Sequence, residues 1–493
     1  MLPPKVLMLG LDSASATLVR RWTSSGALPN LRLLEEEGVR GVLRSPPGLG
    51  DDATWASFYT CTAPGAHGRY YFHSIQPASY ELPFVQDAHL KREPFWNVLD
   101  RAGRRVAVID VPKVPPSRPF GGLHLTDWRV HGRDNLTRST PPELAVELSR
   151  RFGEDRTDRA DTGDWLCRMD ALTESELPVF LDHLLQSIEH KTTLAEELMA
   201  RERWDLFLLV YKEAHCAGHQ CWHLVDPMHP AYSRDVAERL ADPLLRIYQA
   251  LDRAVGQLRE RLSPDTLLIV FSDLDMGPNY TAEHILDDVL IALEKTLWPP
   301  STRWRRWYEK AMRLKNPSLP RHAFRPAFQL EHNEISGAVR LNVRGREPFG
   351  VINPGAELEA YCTRLTAELM RLVNPATGGP IVGEVIRCDR LYHGENTDKL
   401  PDLLVVWNRD APIESAHSPA LGSMPPRPSG LRTGNHLHNG FCLAVGPGLA
   451  KGAAFDASIT DLGPTVAHRL GVTLPRVDGR PIPELVGSSI PAC

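Results

Sequence analysis

The chain has 493 residues, a length that allows one large core with an inserted lobe, or two or three ordinary domains. Hydrophobic residues at 42% and charged residues at 24% are ordinary globular values, which exclude a disordered, collagen-like or coiled-coil chain. The 56 basic residues nearly balance the 61 acidic ones, and the net charge of −5 predicts no electrostatic attraction to nucleic acid or to an anionic membrane.

The N-terminal residues and the spacing of the cysteines indicate the cellular location that we expect for this protein. The N-terminus lacks the order of charged segment, apolar segment and cleavage site that is typical of a secretion signal. The sequence also has no run of about 18 apolar residues, which a membrane-spanning helix would need. The eight cysteines are scattered without the paired spacing of a disulfide framework, which fits reduced thiols. We therefore expect a soluble, cytoplasmic protein.

Short apolar segments followed by helical patterns recur along the chain. The first predicted strand covers residues 6–11 and places Asp12 at its carboxyl end, with a helix from Ser13 onward. Further strands are predicted over residues 106–111, 206–211, 267–271, 403–406 and 441–445. Alternating strands and helices predict an α/β fold with a mostly parallel sheet sandwiched by helices, in which ligands and metals collect at the carboxyl ends of the strands.

Two segments are interpreted as insertions into a single domain of residues 1–493. Residues 137–202 are helix-rich and polar, and we predict a helical insertion there. Residues 276–336 are irregular and rich in Trp and Arg, and we predict that they form a cap near the substrate. The basic, aromatic run over residues 303–315 fits a solvated helix face better than an interfacial or nucleic-acid-binding one.

Three groups of polar side chains stand at the ends of predicted strands. His215 and His219 are four residues apart, so a helix would place both on one face, where they can chelate one cation. Asp273 and Asp275 follow another strand, and His436 precedes the last one. Each group alone is also explained by surface histidines, by turn aspartates, or by a loop histidine bonded to a backbone carbonyl.

Together with Asp12, the order of these groups resembles the alkaline phosphatase superfamily, in particular its type I phosphodiesterase and nucleotide pyrophosphatase branch. Gly10-Leu11-Asp12 is similar to the first metal aspartate of that branch, and residues 60–68, TCTAPGAHG, are similar to its TGxxPxxHG segment. Further matches follow in the same order at Gly345-Arg346-Glu347-Pro348, Pro401-Asp402-Leu403, Gly446-Pro447-Gly448 and Asp478-Gly479-Arg480. The resemblance implies an alkaline-phosphatase-like fold with inserted lobes, two metal ions about a phosphate, and a Ser or Thr nucleophile.

The resemblance fails at the positions that carry the chemistry. The family's nucleophile position falls on Asp51, where neither Ser nor Thr stands. Its DxxxH motif becomes His215 to His219, which exchanges a carboxylate for an imidazole. Its Asp-His pair becomes Asp273-Leu274, so one imidazole is lost. Exchanges of one ligand type for another indicate a rebuilt metal centre rather than a decaying one, although Leu274 is an outright loss.

The family geometry then implies two metal sites of different character. Three imidazoles with an open fourth position suit Zn or Fe, and an all-carboxylate site favours Mg, Mn or Fe. The implied ligands are His215, His219 and His436 at the first site, and Asp12, Asp51 and Asp273, with help from Asp275, at the second.

Three functions remain open on these residues. The first is hydrolysis of a phosphate ester, phosphodiester or related anhydride by metal-activated water, with attack by Asp51 or by Thr54 as a variant. The second is a non-hydrolytic, iron-dependent redox enzyme on the same centre, and the third is a catalytically inactive ligand-binding protein. The resemblance implies a small phosphorylated or anionic substrate, with His332 and Asn333 as candidate contacts. Substrate, leaving group and oligomeric state are not readable from the sequence.

Overall fold

The computed structural model describes the chain in segments: residues 3–76, 78–84, 92–114, 116–117, 120–129, 137–153, 169–298, 303–331 and 335–487, with the backbone alone for 303–306. Within these segments the chain forms a nine-stranded sheet, a four-stranded sheet and two pairs of short strands. None of the helices in the described segments has the length and apolar character that crossing a bilayer requires.

The strands are β1 (Val6–Leu11), β2 (Val39–Arg44), β3 (Val106–Ile109), β4 (Leu123–Thr126), β5 (Arg138–Thr140), β6 (Leu206–Tyr211), β7 (Leu267–Phe271), β8 (Asp275–Pro278), β9 (Ala327–Leu330), β10 (Ser336–Leu341), β11 (Val382–Arg387), β12 (Leu403–Trp407), β13 (His417–Ser418), β14 (Gly422–Ser423), β15 (Gly434–Leu437), β16 (Gly440–Val445) and β17 (Ala454–Ser458).

The α-helices are α1 (Ala16–Ser24), α2 (Pro29–Glu37), α3 (Asp51–Thr60), α4 (Pro64–His67), α5 (Phe95–Arg101), α6 (Pro142–Phe152), α7 (Leu177–Arg201), α8 (Glu213–Cys221), α9 (Arg234–Arg239), α10 (Pro243–Arg259), α11 (Glu283–Leu297), α12 (Arg303–Lys315), α13 (Ala356–Leu369), α14 (Cys388–Leu391), α15 (Leu462–Arg469) and α16 (Pro483–Val486). Short 3-10 helices cover Trp222–Leu224, Thr397–Lys399 and Ile459–Asp461.

The large sheet has the strand order β17-β2-β16-β7-β1-β6-β3-β4-β5. Five of its eight strand pairings are parallel, which confirms the predicted mostly parallel sheet. The strands β1, β6 and β7 are buried along their whole length, because helices cover both faces of a parallel sheet. Their carboxyl ends meet at one edge, where Asp12, Lys212 and Ser272 follow directly.

The two faces of the large sheet have separate hydrophobic cores. In β1, Leu7 and Leu9 point into a core shared with α1, α2, α7, α8 and α10. The alternate residues Val6 and Met8 point into a second core shared with α3, α5 and α15. This division follows from the two-residue period of a strand. It anchors α8 on one face and α3 on the other, with the edge that carries Asp12 between them.

A separate lobe is built on the four-stranded antiparallel sheet β11-β12-β10-β9, with α11 and α13 packed on it. The strand predicted over residues 403–406 exists as β12, but it belongs to this second sheet. The prediction failed there because a short apolar run specifies a buried strand and not the sheet that the strand joins. The predicted cap of residues 276–336 supplies α11, α12 and β9, and the lobe continues beyond it. The insertion boundaries themselves stay predictions.

Candidate metal centre

Two histidines reach the edge of the large sheet from α8. Strand β6 ends at Tyr211, and α8 begins two residues later, so the first turns of the helix stand over the carboxyl ends of the parallel strands. Residues four apart share a helix face. Accordingly His215 and His219 lie side by side, both buried, with ring centroids 4.7 Å apart.

The third histidine arrives on β15, which pairs antiparallel with β8. Close packing of β15 on α8 depends on Gly434, because a Cβ atom there would lie 2.1 Å from the carbonyl oxygen of Gly218. His436 is thereby brought to 4.7 Å from each of the other two rings, measured between centroids. One ligand nitrogen from each of His215, His219 and His436, the histidine trio, lies within 4.8 Å of the other two.

Hydrogen bonds orient two rings of the trio. Nδ1 of His219 donates to the carbonyl oxygen of Gly434 over 2.8 Å, and Nδ1 of His215 donates to Oδ2 of Asp12 over 3.0 Å. A proton on Nδ1 places the ring's lone pair on Nε2, the usual arrangement of a metal-binding histidine. Burial, followed by the proximity of His436, holds the pKa of His215 well below its ordinary value, which favours the neutral imidazole.

The donor set of the trio fits a first-row transition ion. Three buried imidazoles with a fourth position open are characteristic of catalytic zinc and also suit iron. Among the residues that the structure describes, the trio is the one group of three or more His, Cys, Asp or Glu side chains whose ligand atoms lie within 4.8 Å of one another. Cys216 and Cys221, on the same helix, lie in the hydrophobic core.

Two carboxylates that were predicted as ligands follow β1 and β7. Oδ1 of Asp273 accepts a hydrogen bond from the backbone nitrogen of Ser13 over 2.9 Å. Its Oδ2 is buried and has no hydrogen-bond partner among the described residues. Burial and then the proximity of Asp51 raise the pKa of Asp12 to about 6. Burial and then the proximity of Asp12 raise the pKa of Asp273 well above its ordinary value.

Asp51 is the first residue of α3 and belongs to a cluster of charged side chains with Asp52, Lys113 and Arg69. The sequence predicted a role for Asp51 but not for the two cations. Oδ1 of Asp51 accepts a hydrogen bond from the backbone nitrogen of Asp52 over 2.8 Å, and its Oδ2 contacts Nζ of Lys113. The same Nζ lies 3.0 Å from Oδ2 of Asp52. Asp52 also receives hydrogen bonds of 2.8 and 3.2 Å from Arg69. The paired aspartates at a helix start were a visible signal, whereas Lys113 carried none.

Two other predicted site residues use their polar atoms elsewhere. Oγ1 of Thr54 is buried and donates to the carbonyl oxygen of Gly50 over 2.8 Å, within its own helix. Oδ1 of Asp275 accepts hydrogen bonds from the backbone nitrogens of Ala16 and Met276, over 3.0 and 2.8 Å. These contacts stabilise local backbone, and the predicted roles of Thr54 as nucleophile and of Asp275 as ligand gain no support from them.

His438 supports the loop that leads to α3. Its Nδ1 lies 3.3 Å from Oγ of Ser45, and its Nε2 accepts a hydrogen bond of 3.3 Å from the backbone nitrogen of Gly48. His332 and Asn333, the candidate substrate contacts in the cap, lie outside the described residues.

Replacing Asp12 with asparagine is expected to weaken metal binding at the trio by about 10-fold, the low end of the effect usual for groups that orient a ligand. The carboxylate charge strengthens the hydrogen bond that fixes the ring of His215, and an amide oxygen is a weaker acceptor. Zinc titration against a chromophoric chelator measures the change. Asp275→Asn is the matched control, because Asp275 bonds to backbone nitrogens instead of a histidine. Equal affinities in the two variants would contradict the orienting role of Asp12.

Comparisons with known proteins identify a family and several solved structures with a similar fold. A family model described as type I phosphodiesterase / nucleotide pyrophosphatase matches residues 6–433. An inactive variant of murine ectonucleotide pyrophosphatase / phosphodiesterase 5, in complex with AMP, is 14% identical with a TM-score of 0.50, over 96% of each chain. The human protein of that name gives the same values.

A bacterial enzyme has the same degree of likeness. Phosphonoacetate hydrolase from Sinorhizobium meliloti 1021, in complex with phosphonoacetate, is 14% identical with a TM-score of 0.50, over 93% of this chain and 94% of that one. At such identity these likenesses show the fold alone. A comparison with curated proteins gave no match.

Proposed function

Because the chain belongs to the type I phosphodiesterase / nucleotide pyrophosphatase family, we propose that it is a metal-dependent hydrolase of a phosphate ester, phosphodiester or related anhydride. The observation that carries this proposal is the buried histidine trio, whose ligand nitrogens lie within 4.8 Å of one another at the edge of the large sheet. The family supports hydrolytic chemistry, and nothing in the family or in the similar structures supports the redox alternative.

We propose separate roles for the residues around the metal ion. When bound, Zn or Fe would lower the pKa of water and withdraw charge from a phosphoryl oxygen. His215, His219 and His436 would hold the ion in a site with little access to solvent. Asp12 keeps His215 in the tautomer that offers Nε2. The family's nucleophile is absent, so we propose that water attacks phosphorus directly.

Asp51 is a poor candidate for the attacking group. Its Oδ2 contacts the ammonium of Lys113 and its Oδ1 accepts a backbone hydrogen bond, so both oxygens are stabilised as an anion. A carboxylate stabilised in this way is a weak nucleophile, and an aspartyl phosphate is therefore not expected. The hydroxyl of Thr54 donates within its own helix and is not assigned a role.

The similar structures suggest a class of substrate. Those proteins are complexed with AMP and with phosphonoacetate, and we propose by analogy a small phosphorylated or anionic substrate here. We also propose a reducing, cytoplasmic setting, which is supported by the finding that the cysteines within the described segments form no disulfide.

A substrate screen with metal removal and replacement tests this function. We expect hydrolysis of one or more of p-nitrophenyl phosphate, its bis ester and a dinucleotide pyrophosphate, lost on chelation and restored by Zn, Mn or Fe. Stoichiometric ligand binding, with no turnover that chelation or His219→Ala lowers, would instead favour the inactive ligand-binding alternative. Oxygen uptake that requires iron, without phosphate release, would overturn the hydrolase proposal.

A further inference from the structure

Lys113 lies near the candidate metal centre, close enough for its charge to act on Asp12 and His215. It lies on the loop after β3 with a φ of 60°, in the left-handed region that residues other than glycine seldom adopt. Its carbonyl oxygen accepts hydrogen bonds from Nη1 of Arg69 over 2.9 Å and from the hydroxyl of Tyr59 over 3.3 Å. A backbone held in an uncommon conformation by surrounding contacts often marks a functional position. The side chain of Lys113 therefore starts from a well-defined place.

The ammonium of Lys113 neutralises the residue at the family's nucleophile position. Nζ contacts Oδ2 of Asp51 and lies 3.0 Å from Oδ2 of Asp52, and the lysine side chain is 12% exposed. Arg69 already pairs with the other oxygen of Asp52. Lys113 therefore mainly stabilises the carboxylate of Asp51. This pairing matters because a buried carboxylate without a cation would destabilise the folded protein.

The other carboxylates predicted for a second ion also have competing partners. Oδ2 of Asp12 accepts from His215 over 3.0 Å, and Oδ1 of Asp273 accepts from the backbone nitrogen of Ser13. Leu274, where the family implies an imidazole, is apolar and buried. Oδ1 of Asp12 accepts hydrogen bonds from Oγ of Ser13 over 3.1 Å and from Nε1 of Trp55 over 3.3 Å. Among the oxygens of Asp12, Asp51 and Asp273, Oδ2 of Asp273 is then left without a partner within the described residues. A hard cation needs anionic oxygen ligands besides its waters, and one such oxygen supplies little of that ligation. While Lys113 holds Asp51, this second set of donors does not fit a metal ion.

We infer that the ammonium of Lys113 takes the place of the second metal ion, so that the protein binds one metal ion, at the histidine trio, beside a fixed lysine cation. Both a metal ion and an ammonium offer positive charge to Asp51 and to an anionic phosphoryl oxygen, but chelation cannot remove the ammonium. Lys113 would donate a hydrogen bond to that oxygen as charge develops on it. The hydrogen bond to substrate rests on the proposed function. The number of bound metal ions does not depend on that function.

Metal stoichiometry tests the inference without any substrate. Wild type, Lys113→Met and Lys113→Arg are equilibrated with excess Zn and Mn, desalted and measured by elemental analysis. We expect one equivalent in wild type and in the charge-conserving arginine variant. The methionine variant releases Asp51 and leaves the carboxylates without their cation, so we expect a second equivalent, as Mn. Lys5→Met is the matched control, because Lys5 is 57% exposed and pairs with Asp205, and it should stay at one equivalent.

The measured metal counts distinguish failure of this inference from failure of the proposed function. Two equivalents in wild type would overturn the inference even if no variant folds, and so would a folded Lys113→Met protein that stays at one equivalent. Circular dichroism establishes which variants are folded. Failure of the proposed function would appear as absent turnover with the metal count unchanged. Failure of this inference would appear as a second ion in wild type, whether or not turnover is found.

Discussion

His219→Ala is expected to lose the bound metal ion and to lower kcat/KM for phosphoester hydrolysis by roughly 10³-fold, about 4 kcal/mol of activation free energy. His219 is one of the three proposed imidazole ligands, and its ring is aligned by the hydrogen bond to the carbonyl oxygen of Gly434. Two imidazoles do not complete a stable tetrahedral site. Thermal unfolding provides an independent measure, because added zinc should raise the Tm of wild type and leave that of the variant unchanged.

His438→Ala is the matched control for this experiment. His438 is also a histidine near the end of β15, but its ring contacts Ser45 and Gly48 rather than the trio. We expect this variant to lose some stability and to keep its metal ion. Full metal content and full activity in His219→Ala would show that the trio is not the metal site.

Asp51→Asn is expected to lower kcat/KM by about 10²-fold without abolishing hydrolysis, a loss comparable to that of one preorganised electrostatic contact. We propose that Asp51 positions the ammonium of Lys113 and does not attack phosphorus. Removing its charge leaves the lysine paired with Asp52 alone, displaced from the phosphoryl oxygen it serves. Steady-state kinetics with a chromogenic diester measures the effect.

A trapping experiment distinguishes this role from covalent catalysis. Wild type mixed with labelled substrate and quenched in acid should carry no label that hydroxylamine releases, because no aspartyl phosphate forms. Complete inactivity of Asp51→Asn, together with trapped label in wild type, would identify Asp51 as the nucleophile and contradict direct attack by water.

The fold was largely predictable because its central strands are locally distinctive. Residues 6–11 and 206–211 are continuous aliphatic runs, the pattern of strands buried on both faces, and each is followed by a helix. The run at residues 403–406 has the same local character but pairs with β10 and β11 in the second sheet. Sheet membership is decided by long-range packing, which one short segment does not encode.

The histidine trio was predictable where local spacing places its members together. His215 and His219 stand on one helix face, and the resemblance pointed to His436. Lys113 was missed because its contact with Asp51 joins positions 62 residues apart and depends on where the loop after β3 turns. A lysine in a loop is ordinarily a solvated residue, and no periodicity distinguishes this one.

Whether the histidine trio holds a catalytic metal ion can be decided by titrating metal-stripped wild type with zinc while hydrolysis of a chromogenic phosphodiester is followed. We predict no activity without metal, a rise in rate that is linear up to one equivalent, and a plateau beyond it. Hydrolysis by the metal-free protein, or a protein that binds no metal at any zinc concentration, would show that the protein is not a hydrolase that depends on a metal ion at the trio.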